Sequence, residues 1–576
     1  MADPAAWIDE VSADEAMSHT RAIATWVRLS GSENERKAFE YIAETLRGYG
    51  LTTTIHEPTC LVSLPVSGRL EIDGLPIEPC ITHSFSTSTP EAGLAGELVY
   101  AGRGSASELA AAGVAGKIAL TDGLATPNKA HAATEAGALG VVCISGDHLH
   151  EMIVSPVWGS PTPDKLKTLP CVVMLSVDTE AGRKLKTRLD EGPARARVFA
   201  TIDTGWRPIP QLVADLDVDG RDYALFSGHV DSWHYGAMDN ASANATMIET
   251  ARILSRHRDE LRRGVRFAFW SGHSHARYAG STWFADRYWL ELRERCVAHV
   301  NVDSTGAVGA TLLTGANTMA EAYPLAREII GRQTDQQLEY RRFGRAGDQS
   351  FWGVGLSSFF MSLSEQGAEN EMTADQAFLL GGGRRAGGGL GWFWHTTEDT
   401  IDKIDPENLT RDIKVYVETV GRLVTAPVVP LDVRPAIDEM LGALDEIEPL
   451  WSGLPGASSD DTIDFVPLRS ELDAARGLAD ALMARIAGDL SDIEAARASA
   501  AIVRACKALV PVHYTAAGEF GHDLALDVPP LPTLRPAKPL VAMSDDELWG
   551  SSHALRRELN RVRAAVRVAG DRLLGA

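Results

Sequence analysis

Between residues 221 and 430 short apolar runs alternate with longer stretches of helical periodicity. The apolar runs are 222–228, 265–272, 296–304, 310–315 and 356–362. Between them, 241–257, 281–295 and 319–333 repeat apolar residues at helical spacing. Strands alternating with helices of this length predict an α/β fold, a mostly parallel mixed sheet covered by helices on both faces. Upstream, 33–50 sets Phe39, Ile42 and Leu46 on one helical face before Gly48 and Gly50 stop it. Residues 51–74 are rich in β-branched side chains and read as strands.

The pattern changes at about Leu94. Glycine-punctuated apolar strands and alanine-rich helical pieces fill 94–205, which reads as an inserted β-rich α/β domain. His148 and His150 fall there and read as surface loop residues. After Pro430 strands nearly vanish, and 470–509 and 546–570 are long amphipathic helices joined by the proline-rich link 528–539. The expected plan is a main domain from 1–93 and 206–430, the insert 94–205, and a helical domain 431–576 with a face suited to a partner subunit.

A chain of 576 residues exceeds one core. Its net charge of -23 argues against nucleic acid or anionic membrane as partners. No window approaches the roughly 18 apolar residues of a membrane span. The N-terminus lacks the basic start and apolar stretch of a signal peptide, so a cytoplasmic location is expected. Six cysteines without CxxC spacing fit reduced thiols.

Four residues carry the chemistry. His229, Asp239, Asp303 and His395 each end an apolar strand or lie in the loop after one, where a parallel sheet gathers its site. Mixed imidazole and carboxylate ligands suit zinc, with manganese, iron or cobalt also possible. A shared carboxylate permits two ions. Asp231, two residues after His229, is placed to accept that imidazole's other N–H.

GHVDSW…GAMDNASANATMIETARIL, NVDSTG and HTTEDT together resemble the co-catalytic zinc aminopeptidase and glutamate carboxypeptidase family of metallopeptidases, which includes the transferrin receptor. Residues 94–205 resemble its protease-associated domain, and the helical tail resembles its dimerisation domain, implying a homodimer. The resemblance implies that His229 and Asp303 hold one metal, Asp239 bridges, and His395 holds the other. The segment around Asp348 resembles a substrate-site loop. Asp348, Tyr278, Arg345, Arg384 and Arg385 are candidate substrate contacts, and the arginines suit a carboxylate.

One motif departs from the family. After the strand 265–272 the family places two adjacent glutamates, a general base and then a metal ligand. Here the chain reads Gly272-His273-Ser274-His275, with one extra residue before Gly280-Ser281. Counting forward puts His273 and Ser274 at the two positions; counting back puts Ser274 and His275 there. Either imidazole can bind metal or take a proton near neutral pH, and the loss of negative charge weakens the case for two ions. His273, His275 and Asp231 are the candidate catalytic residues, with His275 also a candidate ligand. The expected function is metal-dependent hydrolysis of an amide bond in a short peptide or small amino-acid-like molecule. The alternatives are a metal-dependent lyase on the same cradle and a catalytically inactive scaffold.

Overall fold

The computed structural model describes residues 3–342, 344, 347–367, 389–452, 462–526 and 528–576. Its main sheet has six strands. In spatial order they are Thr52–His56, Gln211–Leu216, Gly264–Trp270, Tyr223–His229, Cys296–Asn301 and Ser358–Phe359. The last four run parallel, and the first two add antiparallel edges. The parallel strands are buried along their whole length, as expected for a sheet covered on both faces. Helices Glu33–Gly48, Ala243–Arg256 and Pro406–Thr425 contribute to one continuous core with the strands. The run 310–315, expected in this sheet, instead forms Ala310–Leu312, paired with Glu365–Gln366 in a separate ribbon.

A second sheet has eight strands and begins at Thr59, ahead of the expected boundary at 94. Strand Thr59–Ile72 pairs antiparallel with Ala194–Pro208 over almost its whole length. This ribbon is the stalk by which the chain leaves the main sheet and returns. Strands Leu94–Tyr100, Ile118–Asp122, Gly140–Ile144 and Val173–Val177 pair in parallel, with apolar clusters on both faces.

Helices Arg434–Leu450, Val466–Ile486, Asp492–Tyr514 and Asp545–Leu574 build the C-terminal region. Their inward residues, among them Ile437, Leu444, Leu468 and Ile502, join the same apolar cluster as the main sheet. All six cysteines are unpaired. Among the described residues no helix is long and apolar enough to cross a membrane.

Candidate metal centre

Four of the site residues stand at carboxyl ends of the central strands or in loops beyond them. His229 is the last residue of Tyr223–His229, and Asp303 follows Cys296–Asn301 by two residues. The two strands approach closely because Gly228 has no side chain: a Cβ there would lie 2.8 Å from the Val302 carbonyl oxygen. Asp239 sits in the turn Ala237–Ser242 that opens helix Ala243–Arg256. Buried Arg28 holds the preceding loop by donating to the carbonyls of Val230, Tyr235 and Gly236 at 2.7–2.9 Å. Asp399 accepts the backbone N–H groups of Met238 and Asp239 at 2.8 and 3.0 Å, fixing the turn from the other side. Burial pushes the Asp399 carboxyl up to about 7 despite those two bonds.

The four side chains converge. His229 Nε2 lies 3.1 Å from Asp239 Oδ1 and 3.6 Å from Asp303 Oδ1, and His395 Nε2 lies 3.0 Å from Asp239 Oδ2. The tautomers follow from the opposite side of each ring. His229 Nδ1 donates to the Asp231 carbonyl at 2.9 Å, and His395 Nδ1 donates to the Glu151 carbonyl at 2.6 Å. In the neutral rings both Nε2 atoms present lone pairs to carboxylate oxygens, an arrangement that calls for a cation, a metal ion or a proton, between them. Two ligands of a tetrahedral zinc at about 2.0–2.1 Å stand roughly 3.3 Å apart, the spacing found here. Burial alone would lower the His229 imidazole, yet the Asp303, Asp231 and Asp239 carboxylates raise it well above its ordinary value. Burial alone would raise Asp239, yet His229 and His395 hold it well below the usual carboxylate range. These residues fit a divalent metal.

Asp231 has a different part from the expected one. Its backbone carbonyl, not its carboxylate, takes the His229 N–H, since the nearer carboxylate oxygen is 3.7 Å away. The buried carboxylate instead accepts the N–H groups of His273 and Ser274 at 3.2 and 2.8 Å and the Ser30 hydroxyl at 2.7 Å. It pins the turn that carries His273, Ser274 and His275.

Within that turn His273 and Ser274 line the cavity with Asp239, Asp303 and His395. His275 does not. Its ring is 1% exposed, with Nδ1 3.0 Å from the Ser30 hydroxyl and the ring against Trp233. Burial pushes it down to about 4. Of the two spacings, the forward count from Gly272 is the one whose two positions, His273 and Ser274, both line the cavity; downstream, Arg277 and Tyr278 take left-handed φ values of 49° and 68°.

His273 Nδ1 lies 2.8 Å from Asp348 Oδ2, so the ring donates to that carboxylate and keeps a lone pair on Nε2. Asp348 is buried and also accepts the Ser281 hydroxyl at 2.8 Å. The His273 ring stacks on His229 with centroids 3.8 Å apart and planes 16° from parallel. Tyr278 lines the cavity and accepts the Gly347 N–H at 3.2 Å. Arg345, Arg384 and Arg385 lie outside the described residues. His150 is buried, not on the surface: its Nδ1 donates to the Trp394 carbonyl at 2.6 Å, beside His395. Arg277, absent from the sequence-based candidates, also lines the cavity.

Residues 211–420 match the family model described as peptidase family M28. This stretch contains the main-sheet strands from Gln211 onward and every candidate ligand. Residues 211–420 form a peptidase M28 domain. The chain is 36% identical to mouse aminopeptidase NAALADL1 over 118 residues, 20% of this chain and 15% of that protein. It is 25% identical to aminopeptidase YwaD of Bacillus subtilis over 412 residues, 70% of this chain and 80% of that protein. The chain thus spans only about 15% of the length of the mouse protein. Among solved structures, a zinc aminopeptidase from Bacillus subtilis superposes with a TM-score of 0.53 at 20% identity, covering 72% of this chain and 96% of that one. An aminopeptidase from Aneurinibacillus gives 0.54 at 19% identity, covering 73% and 96%. At these identities the likeness is one of fold.

Proposed function

We propose that the M28 domain is a metal-dependent hydrolase of amide bonds in short peptides or small amino-acid-like molecules, working with one zinc ion on His229, Asp239 and Asp303. The observation that carries this reading is the convergence of His229 Nε2 with the Asp239 and Asp303 carboxylate oxygens. Three protein ligands with an open position are the pattern of a catalytic zinc. The charge supports one ion over two. Asp239 and Asp303 balance a single divalent cation, whereas a second, on the His395 side, would meet only the shared Asp239 and the neutral Ser274.

When bound, the ion polarises the amide carbonyl and makes water acidic enough to attack near neutral pH. His273 is better placed to move the proton than to ligate. His229, His273 and Asp303 offer ligand atoms within 4.8 Å of one another, so His273 would stand close enough to an ion there to act on its bound water. Its Nε2 takes a proton from the attacking water and returns it to the leaving nitrogen, while Asp348 holds Nδ1–H and steadies the charged ring. His395 keeps the second oxygen of Asp239 fixed. We further propose that the helical region pairs two copies of the chain and that the insert is a protease-associated domain, both on the sequence resemblance alone.

Metal content of purified variants tests the ion assignment. His229→Ala is expected to lose the zinc, and His395→Ala to keep close to one equivalent; two equivalents in the unaltered chain would refute the one-ion site. Mass spectrometry of products tests the reaction, since hydrolysis adds one water across the bond and elimination does not.

A further inference from the structure

We propose that Arg277 is a receptor for a substrate carboxylate, so that the hydrolase acts on amides whose substrate carries a free carboxylate near the scissile bond. This rests on the hydrolase reading above and adds the substrate class. Arg277 is 8% exposed and is the one Lys or Arg among the described residues lining the cavity of His273, Asp303 and His395. Its Nε has no hydrogen-bond partner, and no carboxylate pairs with the guanidinium among the described residues. Its guanidinium carbon lies 5.0 Å from the centroid of the Tyr278 ring.

A buried, unpaired guanidinium is costly, and other buried arginines of this chain avoid that cost. Arg28 is saturated by backbone carbonyls, and Arg266 by Asp215. Arg277 is held by its backbone in the left-handed region, a strained conformation for a residue with a side chain. Its carbonyl accepts the Gly159 N–H at 2.6 Å, tying the turn to the inserted sheet's loop. A strained backbone presenting an unpaired cation to the reaction cavity is what a bidentate carboxylate site needs before its ligand arrives.

The acidic side of the cavity supports the same class. Its carboxylates among the described residues, Asp239 and Asp303, both belong to the metal cluster, so the described lining offers no further acid for a substrate ammonium. The cavity therefore favours a carboxylate end over a free amino end.

The test uses the zinc-loaded full chain and pairs of N-acetyl dipeptides, each as the free acid and as its carboxamide. Turnover is expected to favour the acids at least tenfold in kcat/KM. Calorimetry with N-acetyl amino acids and their amides, which needs no turnover, should show the same preference. Arg277→Met is expected to bring both ratios close to one, and Arg277→Lys, which keeps charge but not the planar fork, to fall between. Arg277→Met should also melt higher than the unaltered chain, because an uncompensated buried charge is removed. Equal handling of acid and amide, or a preference that survives in Arg277→Met, would overturn the proposal. Acid-selective binding without turnover of any pair would leave this site standing and sink the hydrolase reading.

Discussion

At the scale of single residues, a histidine–aspartate pair stands where relatives are expected to use glutamate. If His273 moves a proton and does not ligate, His273→Ala should lower kcat by about 10²–10⁴ while zinc content stays unchanged. Asp348→Asn should give a smaller loss, also at full zinc content. Zinc lost from His273→Ala would make it a ligand instead. A second residue-scale prediction lies far from the metal. Burial pushes the Glu321 carboxyl up to about 7 from 4.5. Between those values the unfolded chain releases this proton and the folded chain keeps it, so stability falls as pH rises through the window and is flat above it. The pH-dependent part amounts to roughly 3 kcal/mol at most. Glu321→Gln should therefore gain in Tm over the unaltered chain at pH 8 relative to pH 5. A difference in Tm that is the same at both pH values would show that Glu321 is not held protonated in the folded chain.

At the scale of elements, the site depends on loops held from behind. Asp399 is no ligand, yet it fixes the turn bearing Asp239 through two backbone N–H groups. Partners of this kind are typically worth 10–100-fold in metal affinity. Asp399→Ala should weaken zinc binding by that factor in chelator competition, with little change in far-UV circular dichroism. The same elements show what the sequence makes legible. His229 and Asp303 were readable because a buried parallel strand is a continuous apolar run and its end is a fixed place in the fold. Which of His273 and His275 faces the cavity was not readable, since the turn bends through Arg277 and Tyr278, side chains that give no sign of left-handed backbone. Arg277 was missed for a related reason: it adjoins Tyr278, on which Trp158 and Ala525 pack from regions far apart in the sequence. The boundary at 94 missed the ribbon because strands of the stalk and of the main sheet have the same local pattern.

At the scale of the whole molecule, the three regions meet at the cavity. The Ala525 N–H, from the helical region, donates to the Pro156 carbonyl of the insert at 2.7 Å, and both segments pack against the turn of the M28 domain. Farther out, Lys507 donates to the carbonyls of Leu292 and Arg293 at the end of helix Trp289–Arg295, and Arg263 to the Ser499 hydroxyl. Composition suggested a separate helical domain, but Ile437, Met440, Leu444, Leu468, Ile502 and Leu509 share one core with Val417 and Val424. Exposing six such side chains costs on the order of 10 kcal/mol, comparable with the whole stability of a domain. A fragment ending at residue 430 is therefore expected to be aggregation-prone, to bind a hydrophobic dye and to melt without cooperativity, while the full chain gives a cooperative transition that zinc raises. A soluble, cooperatively folding, zinc-binding 1–430 fragment would show instead that the helices are an appendage. The cavity wall at Ala525 would then be dispensable for holding the metal.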